Sequence, residues 1–207
     1  MGGHIIPLLC VVHISCAQPQ AMESVERERL PPPLHATAND PFEPIPNDLE
    51  YDEQKVELGR RLFEDSRLSG DGTRACVDCH HLDHGGVVPG ESRSNHPLNA
   101  TGPYNVPTVF NVAFNFRFNW QGRFETMEEH LDGPMMNEDV MDAGSWRDVV
   151  QRLRSSYRDA FVAAGYDGVT EVSVRDAIVE YQRSLVTPGS RFDRFLLEEL
   201  ELTESEQ

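Results

Sequence analysis

The sequence predicts an all-α fold with long loops behind a Pro-rich N-terminal leader. Three observations carry that expectation. Apolar residues recur at helical spacing through the C-terminal third, no run alternates as a half-buried strand would, and prolines crowd residues 18–48. The 207 residues leave room for one ordinary domain with ragged ends, or for two very small ones. A formal net charge of -17 repels nucleic acid and anionic lipid and would attract a basic partner, although plain solubility accounts for most of it.

Residues 1–17 contain the apolar run Ile5-Ile6-Pro7-Leu8-Leu9-Cys10-Val11-Val12 and close on Ser15-Cys16-Ala17, the pattern of an export signal cleaved after Ala17. A lipid-acylated Cys16 fits less well, because His13 stands where a leucine is expected. Cleavage removes Cys10 and Cys16, so the mature chain keeps Cys76 and Cys79, and it leaves no apolar membrane span behind. Pro19, Pro31, Pro32, Pro33, Pro41, Pro44 and Pro46 make residues 18–48 an extended, disordered tether.

From Leu49 to Phe63 the pattern turns helical, with Leu49, Val56 and Leu62/Phe63 on one face and Asn47 or Asp48 as the cap. Gly70, Gly72 and Thr73 break the chain. Between His81 and Pro107 the turn signals Gly85-Gly86, Pro89-Gly90, Pro97 and Gly102-Pro103 indicate a long loop. Phe110, Phe114, Phe116, Phe118 and Trp120 then supply either aromatic core or the wall of a pocket. Ser145-x-x-Asp148 reads as a capping box before a helix with Trp146, Val149, Val150, Leu153, Tyr157 and Phe161 inward. Ser173-x-x-Asp176 opens a second helix with Val174, Ala177, Ile178, Tyr181 and Leu185 inward, ended by Pro188-Gly189, and Phe192 to Leu200 forms a short third.

The chemistry lies in Cys76-Val77-Asp78-Cys79-His80. This C-x-x-C-H spacing places two thiols on one turn, where each can form a thioether to a haem vinyl group, and leaves the adjacent imidazole as axial iron ligand. A zinc site drawing on His80, His81, His84 and His96 is the main rival, and a redox dithiol the lesser one. Export favours haem, because thioether formation uses both thiols in a compartment that would otherwise oxidise them. The expectation is therefore a cytochrome c-type domain over residues 49–200 carrying one covalently bound haem c.

Several stretches, in order, resemble the bacterial di-haem cytochrome c peroxidases and their MauG-like relatives. They are residues 58–69 (Leu58-Gly59-Arg60 through Arg67-Leu68-Ser69), Cys76–His80, Gly85-Gly86, Asn105 through Asn111, Phe114-Asn115, Leu185-Val186-Thr187-Pro188 and Phe192-Asp193-Arg194-Phe195. The resemblance implies the N-terminal, peroxidatic haem domain. It would reduce hydrogen peroxide to water in the periplasm, with electrons from a small redox protein, and could pair as a homodimer. It also implies that His96, sixteen positions beyond His80, holds the second iron position at rest and moves away for peroxide. Trp120 falls where the family keeps a tryptophan between two haems, and Asn105 matches an asparagine that helps bind calcium.

Two departures stand out. In Asn137-Glu138-Asp139-Val140-Met141 the family's proton-shuttling acid is replaced by Val140, leaving Glu138 or Asp139 as substitutes. Residues 201–207 resemble the start of a second haem domain, so the chain reads as a fragment of a longer protein or a one-haem derivative. Two other functions compete with the peroxidase: a non-enzymatic bis-histidine electron-transfer cytochrome c, and a MauG-like oxidase acting on a protein.

Overall fold

In the computed structural model, residues 42–88 and 104–206 are described; the expected export signal, most of the expected leader and His96 lie outside them. The described residues form helices α1 (Glu53–Phe63), α2 (Met127–His130), α3 (Asp132–Met136), α4 (Trp146–Ala163), α5 (Glu171–Ser184) and α6 (Arg191–Leu196). Tight 3-10 turns at Ser66–Leu68, Cys76–Asp78, Leu82–His84 and Val112–Phe114 punctuate the connections. Extended pairing among these residues amounts to two isolated bridges, His81 with Val87 and Phe118 with Phe124. The fold is all-α, and no described helix is long and apolar enough to cross a membrane.

The helix α1 starts later than its apolar pattern suggests. Asp52, not Asn47 or Asp48, is the cap, accepting from the backbone N–H of Gln54 and Lys55 at 3.1 Å each. Leu49 therefore precedes the helix. The most extensive helix contact is α1 against α5, and Gly59 makes it possible. A Cβ at Gly59 would stand 1.9 Å from the Ala177 carbonyl oxygen, so any side chain there would force the helices apart.

Helix α4 carries the predicted Ser145/Asp148 box, with the Ser145 N–H donating to Asp148 Oδ2 at 2.9 Å. Helix α5 begins earlier than Ser173: Thr170 is the cap and Ser173 its reciprocal partner inside the first turn. The helix ends at Ser184, ahead of Pro188-Gly189, and α6 covers only Arg191–Leu196 rather than reaching Leu200. The core joins Leu58, Leu62, Leu68, Val149, Leu153, Phe161, Val174 and Ile178, all buried. Arg152 ties α4 to the turn before the cysteines, donating from Nε to the Arg67 carbonyl at 2.8 Å.

Candidate functional site

The Cys76–His80 segment is a single tight turn. The Ala75 N–H donates to Asp78 Oδ2 at 2.7 Å, and the N–H groups of Cys79 and His80 donate to the Cys76 carbonyl at 3.1 and 2.9 Å. Cys76, Cys79 and His80 consequently line one cavity, walled by Phe63, Val109, Phe118, Leu131, Met135 and Ile178. It holds about 1070 Å³ of atom-free space, part of it open to solvent.

His80 is oriented by its backbone surroundings. Its Nδ1 lies 3.1 Å from the Gly86 carbonyl oxygen, and in the tautomer that donates this bond Nε2 keeps its lone pair for a metal. Burial is the main cause that lowers the His80 pKa, against opposing bonds to the Gly86 and Pro107 backbone, which favours the neutral imidazole a metal needs. Gly86 has φ +73°, and a Cβ there would meet Val109, Phe110 and Thr108 atoms at 3.0–3.1 Å. The Gly85 carbonyl accepts from Thr108 Oγ1 at 2.6 Å, clamping the turn onto the next segment.

Burial pushes the Cys76 thiol up to about 12 and raises Cys79 as well. A reactive redox dithiol shows the opposite shift, toward thiolate. Two protonated, part-buried thiols beside a neutral imidazole in an apolar cavity fit a haem attached through both sulfurs, and fit a catalytic dithiol poorly.

Another stretch of the lining comes from α2, α3 and the residues just beyond, with His130, Pro134, Met135, Val140 and Met141. His130 sits between aromatic rings, with centroid separations of 6.1 Å to Phe118 and 5.5 Å to Phe124. Burial, and secondarily the neighbouring His80, lower its pKa. These two short helices are anchored from behind. Asp132 Oδ1 accepts from Trp146 Nε1 and Arg175 Nη2 at 2.6 Å each, and Arg175 Nη1 donates to the Glu128 carbonyl at 2.7 Å. The Arg175 guanidinium also lies 4.3 Å from the centroid of the Trp146 ring.

The sequence-predicted residues divide accordingly. Cys76, Cys79, His80 and Trp120 share the cavity. Trp120 is 59% exposed at its edge, stacks on Tyr104 at 6.3 Å, and donates from Nε1 to the Asn105 carbonyl at 2.7 Å. Asn105 is thus tied to Trp120 through its backbone. Val140 lines the cavity and its carbonyl accepts from Arg74, whereas Glu138 and Asp139 are exposed and do not line it. Phe118 is buried in the wall, but Phe114 and Phe116 are solvent-facing, Phe116 at 91% exposure, so they serve neither core nor cavity. His130 is the site residue that sequence reasoning missed. Its signal was the Thr126-x-x-Glu129 cap, where the Glu129 N–H donates to Thr126 Oγ1 at 3.1 Å and starts a helix whose last residue is His130.

Comparison with known proteins agrees with this geometry. The family model of the di-haem cytochrome c peroxidases matches residues 53–201. Cytochrome c peroxidase Ccp of Escherichia coli K12 is 39% identical over 160 residues, 76% of this chain and 34% of that protein. Cytochrome c551 peroxidase of Nitrosomonas europaea is 36% identical over 77% of this chain and 48% of its own length. Methylamine utilization protein MauG of Methylophilus methylotrophus is 32% identical, over 74% and 45%. A crystal structure of a MauG-like protein associated with microbial copper homeostasis superposes with a TM-score of 0.64 at 29% identity, covering 89% of this chain and 53% of that one. The chain thus spans between about a third and a half of these curated relatives.

Proposed function

The chain belongs to the di-haem cytochrome c peroxidase family, and from that premise we propose that residues 49–200 are its peroxidatic haem c domain. In this reading it reduces hydrogen peroxide to water in the periplasm, with electrons from a small redox protein. The observation that carries the proposal is the one cavity shared by Cys76, Cys79 and a His80 whose Nδ1 is held by the Gly86 carbonyl.

Cys76 and Cys79 would hold the haem as thioethers and His80 its iron; when bound, the haem supplies the redox chemistry that breaks the oxygen–oxygen bond. The protein's own contribution is positional and electrostatic. The Gly86 carbonyl fixes the imidazole plane and tautomer. Phe63, Val109, Leu131 and Ile178 make the cavity apolar, so charges and dipoles inside it act more strongly than in water. His96 is proposed as the gate of the second iron position and Trp120 as the route for electrons from a second haem. Calcium at Asn105 and a homodimer complete the proposal.

A MauG-like oxidase acting on a protein partner is the second reading, favoured by the apolar Val140 in the cavity wall. The test is the full chain matured in a cytochrome c-producing host, supplied with a reduced small cytochrome and hydrogen peroxide. Donor oxidation that depends on peroxide supports the peroxidase. A haem that binds neither peroxide nor carbon monoxide in any reduced state leaves only the bis-histidine electron carrier.

A further inference from the structure

Among the described residues lining the cavity, the ionisable side chains are Cys76, Cys79, His80, Arg117 and His130. Under the haem reading both thiols become thioethers and His80 serves the iron. Arg117 stays protonated and is paired with Glu125 at 2.7 Å. Val140, where the resemblance places an acid, is apolar. One side chain of the described lining is therefore left to exchange protons near neutral pH.

We propose that His130 is the acid–base residue of the haem cavity, taking a proton from one oxygen of hydrogen peroxide and returning it to the other. The inference rests on the haem reading given above. Hydrogen peroxide with two electrons and two protons gives two waters. The electrons come from the one-electron redox protein, the two protons from solvent, and His130 relays a third between the peroxide oxygens and is regenerated.

The surroundings suit that task. The ring is set between Phe118 and Phe124, and burial holds it neutral, able to accept. Several charged groups lie on the elements around it. Arg117 and Glu125 pair on the preceding loop, Glu128 and Glu129 share its helix, Asp132 and Arg175 pair behind it, and His80 lines the same cavity. Of these, only a protonated His80 would shift it, in the same direction as burial; with His80 neutral, burial is the cause that remains. Arg175 and Trp146 are positioning residues, because they hold Asp132, two residues beyond His130.

Cyanide association tests the proposal without turnover, since hydrogen cyanide must lose a proton to bind iron. The measurement uses the haem-loaded full chain in a His96→Gly background, comparing His130 with His130→Gln. The expected result is slower association by on the order of 10²-fold at neutral pH for His130→Gln, with an unchanged ferric spectrum. The parent rate should also fall on acidification through a pKa below the ordinary histidine value, and the variant should lose that limb. Equal rates and equal pH profiles overturn the proposal. So does conversion of the ferric iron from low-spin to high-spin on His130→Gln, which would make His130 an iron ligand instead. If His130→Gln does not fold, the parent's pH profile decides alone, and a flat profile overturns the proposal. A chain that matures without Soret absorption fails earlier and separately, at the haem reading.

Discussion

His80 Nδ1 stands 3.1 Å from the carbonyl oxygen of Gly86, six residues along the same chain. The short loop between them folds back because Gly85 and Gly86 both take the left-handed conformation, at φ +72° and +73°. The glycine pair is therefore part of the ligand's support.

Gly86→Ala tests that support. A side chain there carries the left-handed strain of about 1–2 kcal/mol and must also displace Val109, Phe110 or Thr108 atoms at 3.0–3.1 Å. Urea unfolding of the haem-loaded chain should show at least that loss, with a perturbed Soret band from the reoriented imidazole. Wild-type stability and spectrum together would contradict the role assigned to the carbonyl.

Gly59→Ala should destabilise by roughly 1–3 kcal/mol, despite alanine's better helix propensity, because the added methyl meets the Ala177 backbone oxygen at 1.9 Å. Thermal unfolding measures it. A stabilised variant would mean that α1 and α5 do not cross at this point.

Asp65 gives an acid-dependent prediction. It accepts from Tyr157 Oη at 2.6 Å and Arg67 Nη2 at 2.5 Å. Burial alone would raise its pKa, but these bonds bring it below the usual aspartate value. A depressed folded pKa means stability present above the unfolded pKa and lost as pH falls through the folded one. Asp65→Asn should cost about 1.5–3 kcal/mol at pH 7, and the gap from wild type should close on acidification below the normal aspartate range. A gap independent of pH would place the loss in packing instead of charge.

Val140→Glu places a carboxyl in the cavity wall at the position where the resemblance expects one. In a His130→Gln background it should restore peroxide turnover by about 10-fold or more, a fraction of what acid–base groups supply. With His130 intact the gain should be smaller, because the two groups would do the same work. Equal gains in both backgrounds would separate the two residues functionally.

How far the sequence reveals all this depends on the range of each signal. The C-x-x-C-H turn is local, so Cys76, Cys79 and His80 were readable without any tertiary information. Helices α4 and α5 were readable because their apolar periods run for several turns. Their ends were less so: Thr170 and Ser173 are three apart, both can cap, and only the backbone shows that Thr170 does. Helices α2 and α3 were hidden because each is about one turn long and Gly133-Pro134 mimics a loop. His130 matters only once Arg175 holds the Glu128 carbonyl of α2 and, with Trp146, Asp132 of α3, contacts made 14 to 47 residues apart in sequence. Phe116 misled for the opposite reason, since aromatic composition carries no direction.

Covalent haem on Cys76 and Cys79 is tested most directly by haem attachment to the full chain produced alongside a cytochrome c maturation system. The expected result is one haem per chain, resistant to acidified-acetone extraction, with Cys76→Ala and Cys79→Ala each losing a thioether in the reduced pyridine spectrum. A mature chain that carries free Cys76 and Cys79 thiols, or binds zinc through them, and shows no Soret band would contradict it.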